Sequence, residues 1–342
     1  MDETRLAATT LPDLALRTYG GGVVWANDEL FAGRENLITP GAATFAPQTF
    51  GAKGQVYDGW ETRRRRDRTP DSRDEAIVRL GIPGVVRAVV VDTSHFTGNF
   101  PVEAAVEAVC ADRTPSVDEL RAMAWTTLVE RAPLKGDTAN AFEVASERCW
   151  THVRLAVCPD GGVARLRVHG EPVADPSLIE ALGTVDLAAL ENGGTVTGCS
   201  NLYYGSPLRL VAPGNARSMG EGWETARRRD DGNDWVEVRL ACEGVVRVAE
   251  LDTTWFLGNA PGAAALSARD AGGGGWQPLL ARTPLQPDTR HRFVVDAAAP
   301  ATDVRLDVYP DGGMARLRLW GVPTDDGLAA LRDRWAATTA SR

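Results

Sequence analysis

The stretch from Val85 to Val91 reads Val-Val-Arg-Ala-Val-Val-Val. A nearly continuous β-branched run of this kind fits a strand packed in a sandwich core. Further on, Val153, Leu155 and Val157 alternate with polar neighbours, and Pro159-Asp160-Gly161-Gly162 supplies a turn. After it, Ala164, Leu166 and Val168 alternate with Arg165, Arg167 and His169. Two alternating runs about such a turn predict a hairpin with one apolar and one charged face. Shorter strands are predicted at Val23–Ala26, followed by the turn formers Asn27 to Phe31, and at Ala76–Leu80. Helical spacing is confined to residues 116–124, behind a capping box from Ser116 to Glu119, to part of 172–190, and to 327–337. Met1 to Thr10 reads as a frayed terminus, and residues 39–59, rich in Gly, Pro and Thr, as a long loop on a rigid scaffold.

These patterns occur twice. Asp58-Gly59-Trp60-Glu61-Thr62-Arg63-Arg64-Arg65-Arg66 returns as Glu221-Gly222-Trp223-Glu224-Thr225-Ala226-Arg227-Arg228-Arg229, with seven of nine positions identical. The D-T-x-x-F-x-G-N-x-P pattern of Asp92 to Pro101 returns at Asp252 to Pro261, and Trp125 to Thr138 returns at Trp276 to Thr289. Val153 to Gly170 and Val304 to Gly321 share thirteen of eighteen residues. Four blocks in one order, offset by 163, 160, 151 and 151 residues, mean a duplicated domain. Short strands and frequent turns make each copy an antiparallel, all-β jelly-roll sandwich with short peripheral helices. The boundary is placed between 176 and 177, giving domains 1–176 and 177–342.

The chain of 342 residues is long enough for two cores. Its formal charge of -9 argues against a general nucleic-acid binder despite the arginine run. No apolar stretch suits a signal peptide or membrane span, so a cytoplasmic protein is expected. Cys110, Cys149, Cys158, Cys199 and Cys242 lack C-x-x-C spacing and are read as small buried hydrophobes.

Taken together, D-G-W-E-T-R-R-R-R, D-T-x-H-F-x-G-N-x-P and P-D-G-G-x-A-R-L-R-V-x-G, each echoed in the second copy, resemble the allantoicase (allantoate amidinohydrolase) family over about Asp13 to Pro323. The resemblance implies tandem jelly-roll, galactose-binding-like domains, a homo-oligomer, and hydrolysis of allantoate to ureidoglycolate and urea in allantoin degradation.

Such a substrate needs a carboxylate clamp, hydrogen bonds to ureido groups and a proton carrier. An arginine fork suits the first task. Strand alternation would put Trp60, Thr62, Arg64 and Arg66 on one face and Glu61, Arg63 and Arg65 on the other. The expected substrate-binding set is Trp60, Arg64, Arg65, Arg66 and Asn99, with Glu224, Arg227 and Asp252 from the second copy. Glu61, Asp92 and His95 are the catalytic candidates, since a carboxyl of raised pKa or a near-neutral His can move the protons. His95 becomes Trp255 in the second copy, which favours the first copy for chemistry. Each residue also has a structural reading: arginines pairing on a solvated strand, Asp92 and Asp252 capping turns, His95 as a hydrogen-bonder. No metal-ligand spacing appears, and no cofactor is expected; a manganese or calcium ion would need ligands gathered across the fold. The competing class is a non-catalytic tandem module that stacks a sugar on Trp60 and Trp223.

Overall fold

The computed structural model describes residues 7–340 apart from 68, 112, 113, 271, 273, 297 and 298. Of the expected frayed terminus, residues 1–6 lie outside the described residues, and Ala7–Thr10 forms a 3-10 turn. The chain divides into two compact units at Glu171/Pro172. The boundary precedes the expected one at 176/177, because Pro172 ends a strand and Asp175 then caps a helix, Pro176–Leu182, by accepting the Ser177 amide.

In the first unit one strand organises the rest. Asp74–Asp92 is nineteen residues long and joins the two strands expected at Ala76–Leu80 and Val85–Val91. Its first half pairs antiparallel with Gly22–Ala26 on one side and Cys149–Cys158 on the other. A register shift falls between Arg79 and Gly84. Its second half, Ala88–Asp92, pairs with Ala139–Glu143, and Arg165–Pro172 also joins this strand. Cys149–Cys158 pairs in turn with Glu103–Val109, and that with Thr126–Pro133. A strand that bends and changes partners in mid-course is how one chain serves both layers of a sandwich. Val78, Val86, Val89, Val91, Leu155, Val157, Leu166 and Val168 fill the space between the layers, and Ile77 packs on the opposite face with Val109 and Leu120.

The expected hairpin at Pro159–Gly162 is therefore a corner. The strands before and after it pair with different halves of Asp74–Asp92 rather than with each other. Gly161 takes φ +143, and a Cβ there would lie 2.6 Å from the Pro101 nitrogen, so only glycine fits. The charged face expected of Arg165–His169 is covered by loops. Arg165 is 1% exposed, and its guanidinium donates to the Asp58 carboxylate at 2.7 Å, which anchors the loop leading into Trp60.

The second unit repeats the plan around Asp234–Asp252, also nineteen residues. Asp234–Arg239 pairs with Ala301–Tyr309, and Gly244–Asp252 with Arg316–Pro323. The helix Asp325–Thr339 buries Leu331 and is tied by Arg332 to Glu180 at 2.7 Å. The falling offsets between the copies now have causes. Asp67 to Asp74 spans seven steps where Asp230 to Asp234 spans four, which accounts for 163 becoming 160. The capped helix Val117–Ala122, within the nine extra residues 116–124, accounts for the further drop to 151. Among the described residues no helix is long and apolar enough to cross a membrane. Cys149 and Cys158 are buried as expected, whereas Cys110, Cys199 and Cys242 are only partly so.

Candidate active site

In the first unit the three repeated motifs meet at the Pro159–Gly162 corner. The Thr62 amide donates to the Gly161 carbonyl, and the Gly161 amide to the Thr62 hydroxyl, both at 3.2 Å. The Arg65 amide donates to Asp160 Oδ2 at 2.8 Å, and the Gly162 amide to the Asn99 carbonyl at 2.7 Å. One turn thus fixes the loop after Trp60 and the loop after Asp92 against each other. Between them opens a cleft of about 740 Å³, whose walls include Glu61, Thr62, Arg64, Arg66, Asn99 and Gly161.

The regular strand in the Trp60 motif is only two residues, Trp60–Glu61. Alternation beyond it is lost, and Glu61 shares the cleft with Arg64 and Arg66 instead of facing away from them. The arginine run divides by partner. Arg63 pairs with Asp28, while Arg65 reaches Asp74 at 2.8 Å and Asp67 at 3.3 Å. Arg65 is thus a brace rather than the expected substrate contact, because its charge is already satisfied beside a buried carboxylate. Arg64 and Arg66 are exposed at the cleft and make no ion pair or hydrogen bond among the described residues.

Glu61 is half-buried. Asn99 Nδ2 donates to its Oε1 at 2.8 Å, and Oε2 has no partner among the described residues. Burial pushes the carboxyl above the ordinary glutamate range, against the lowering pull of the Asn99 hydrogen bond. Two unpaired guanidinium groups in the same cleft as a half-buried carboxyl of raised pKa can hold a carboxylate and move a proton.

Several expected residues lie elsewhere. Trp60 is 0% exposed, with its indole N–H donated to the Asp28 carbonyl at 2.8 Å, and Trp223 is its equal, donating to the Asn201 carbonyl at 3.0 Å. Neither can contact a ligand or serve as a stacking platform. Asp92 Oδ1 accepts from the Ser94 amide at 2.9 Å and hydroxyl at 2.6 Å, the turn chemistry of an Asx cap. Asp252 does the same with Thr254; Asp92 does not line this cleft, nor does Asp252 line the corresponding cleft of the second unit. His95 sits at φ +69, stacks on Phe45 and directs Nε2 to the Ala43 carbonyl at 3.2 Å. Trp255 holds the same left-handed backbone, φ +75, and donates its indole N–H to the Ala216 carbonyl at 2.9 Å. The His-to-Trp difference between copies therefore preserves one bond from a ring nitrogen to a loop carbonyl, and His95 does not join Glu61 in the cleft.

The second unit forms its own cleft of about 340 Å³, with Glu224, Thr225, Arg227, Arg229 and Asn259 in its walls. Asn259 Nδ2 donates to Glu224 Oε1 at 2.7 Å. Arg228 is braced by Asp230 and Asp234, as Arg65 is by Asp67 and Asp74. Arg229 and Asn259 were absent from the expected set, although their identity with Arg66 and Asn99 in the repeated motifs marked them. Thr69 and Ser72 in the first cleft carry no repeated signal and come from the fold alone, whereas Arg131 falls in a repeated block and Phe31 has its counterpart in Tyr204, which lines the second cleft. Among the described residues, no three His, Cys, Asp or Glu side chains gather as metal ligands.

The family model Allantoicase repeat matches residues 12–173 and 185–324. The chain is 59% identical to a probable allantoicase of Nocardia farcinica, over 92% of this chain and 94% of that protein. It is 40% identical to the allantoicase of Dictyostelium discoideum, over 88% and 84% respectively. The crystal structure of allantoicase from Saccharomyces cerevisiae superposes with a TM-score of 0.77 at 30% identity, covering 91% of this chain and 92% of that one. With both repeats matched and relatives aligned along nearly their whole lengths, the chain belongs to the allantoicase family.

Proposed function

We propose that the protein hydrolyses allantoate to ureidoglycolate and urea, and that the cleft of the first repeat is where it does so. Allantoate carries a carboxylate and two ureido nitrogens on one carbon. The bond that breaks joins that carbon to one ureido nitrogen, and the bond that forms joins it to a water oxygen. The leaving nitrogen gains a proton, the water loses one, and no redox partner is required. Arg64 and Arg66 hold the carboxylate. Protonated Glu61 gives its proton to the departing nitrogen and recovers one from the water, while Asn99 keeps its carboxyl oriented. The single observation that supports this reading most is the pairing of two unpartnered arginines with a half-buried carboxyl of raised pKa in one cleft.

No step is routed through a metal: Glu61 shares its cleft with two arginines, and among the described residues no three His, Cys, Asp or Glu side chains gather to hold a divalent cation. Turnover is therefore expected to survive dialysis against a chelator. Association into a homo-oligomer is part of the same reading, expected in sedimentation as a species heavier than the 36.6 kDa chain. The sugar-binding alternative is not favoured, because its platforms, Trp60 and Trp223, have no exposed surface. The test is to incubate purified protein with allantoate and measure urea and ureidoglycolate. Equimolar formation of both is expected; saturable glycan binding with no urea release would overturn the reading.

A further inference from the structure

The two clefts share one pole and differ at the other. The shared pole is a glutamate held by an asparagine, two arginines without partners, and a glycine corner tied to a threonine. Like Arg64 and Arg66, Arg227 and Arg229 are exposed and make no ion pair or hydrogen bond among the described residues. The other pole exists only in the first repeat. There the longer Asp67–Asp74 segment brings Thr69 and Ser72 to the wall, and Arg131 and Val102 complete it. In the second repeat the segment is three residues shorter, from seven steps to four, and contributes nothing to the wall. Val102 is replaced by Gly262. Arg131 is matched by Arg282, whose guanidinium lies 4.0 Å over the Tyr309 ring instead of in the cleft. The cleft is accordingly smaller, about 340 Å³ against about 740 Å³.

We propose that the second cleft is a separate ligand site that takes a carboxylate bearing a single ureido arm, whereas the first takes the two-armed substrate. The shared pole supplies what a carboxylate and one ureido arm require: guanidinium forks for the anion, and a carboxylate oxygen and an amide for the arm. A second arm needs the added room and polar wall at Thr69, Ser72 and Arg131, the last held in place by Glu103 at 2.6 Å and the Pro70 carbonyl at 2.7 Å, and the second cleft has no such wall. A one-armed 2-substituted carboxylate is also the chemical class of the product formed in the first cleft, so the second site would hold product-like molecules. This inference rests on reading the first cleft as the site for a diureido carboxylate.

The probe is ureidoacetate, which has a carboxylate and one ureido arm, titrated by calorimetry into the full chain. In an R64Q/R66Q variant, one site per chain is expected to remain. In an R227Q/R229Q variant that site is expected to weaken by about tenfold or more, the loss that follows from removing charge-assisted hydrogen bonds. Both pairs are exposed and unpartnered, so folding should survive; E224Q offers a second handle should it not, and is expected to weaken the same site. Allantoate should compete for the site left in R64Q/R66Q at least about tenfold less well than ureidoacetate, because the arm it cannot place leaves polar groups unpaired. Undiminished ureidoacetate binding in R227Q/R229Q, or equal competition by allantoate, would overturn the proposal. Failure of the first-cleft reading shows separately, as an absence of urea release from allantoate by the unaltered protein.

Discussion

Set side by side, the two repeats separate what the architecture requires from what each site adds. Both keep a fully buried tryptophan bonded to a loop carbonyl, an arginine braced by two aspartates, and a glycine corner that ties the loops together. Where they differ, the changes come in compensating sets. Asp28 and Arg63 form an ion pair in the first repeat, and their counterparts are Asn201 and Ala226, a neutral pair that keeps the backbone bond to Asn201 Oδ1. Although burial raises it, amide and guanidinium hydrogen bonds from Leu30 and Arg63 hold the Asp28 carboxyl below its ordinary range. His95 and Trp255 each bond a loop carbonyl through a ring nitrogen. The lesson is that a residue difference between copies marks chemistry only when its partners differ too. By that rule His95 loses its claim, and the Asp67–Asp74 segment gains one.

The comparison can be pressed at several points. The largest effect is expected at the unpartnered arginines. Arg64→Gln and Arg66→Gln should each lower kcat/KM for allantoate by about 10- to 100-fold, as a charge-assisted bond is worth roughly 1.5–3 kcal/mol. Steady-state kinetics on the singles checks this, and wild-type KM in both would show that the arginines merely solvate the loop.

Next comes Asn99. It donates to Glu61 and lowers a pKa that burial raises, so Asn99→Ala should move the alkaline limb of kcat to higher pH and cut kcat by about tenfold. The sign follows from the role: a proton donor fails as pH rises through its pKa, and removing Asn99 lifts that pKa. An unmoved limb would show that Asn99 does not act through Glu61.

His152 distinguishes the repeats in stability. It is buried where the second copy has Asp303, and burial, then the Arg79 charge, pull its pKa down from 6.5 to about 4. The unfolded chain takes up a proton near 6.5 while the fold refuses it until about 4. Stability is therefore complete above 6.5 and declines as pH falls through that window, by about 1–2 kcal/mol between pH 7 and pH 5. Denaturant titrations at the two pH values should show this loss in the wild type and less of it in His152→Asn.

The smallest effect belongs to the swapped pair. Transplanting the second copy's residues as Asp28→Asn with Arg63→Ala should be nearly neutral, whereas each single change costs more. The coupling in a double-mutant cycle should be about 0.2–1 kcal/mol and near the low end, because the Arg63 side chain is 65% exposed.

Much of this was legible in the sequence, for identifiable reasons. The duplication was plain because the corner, the brace and the buried tryptophan each tolerate few residue types, so the motifs persist in both copies. The sandwich was legible from the alternation in Val153–Val168. The hairpin was not, because its strands choose partners about half a repeat away, on Asp74–Asp92. Glu61, Arg64, Arg66 and Asn99 could be named, yet strand alternation misassigned Glu61 since only Trp60–Glu61 is regular. Asp92 and His95 looked like an acid–base pair because proximity in a motif does not reveal that one side chain caps its own turn and the other faces Ala43.

The most direct measurement is the rate of urea release from allantoate by Glu61→Gln and His95→Trp, assayed in parallel with their folds verified by circular dichroism. Proton transfer by Glu61 in the first cleft requires E61Q to fall by about 10²- to 10⁴-fold. H95W, which carries the second copy's own residue, is expected to stay within about twofold of the unaltered protein, as surface changes away from a site usually do. Full activity in E61Q, or its loss in H95W alone, would contradict that assignment.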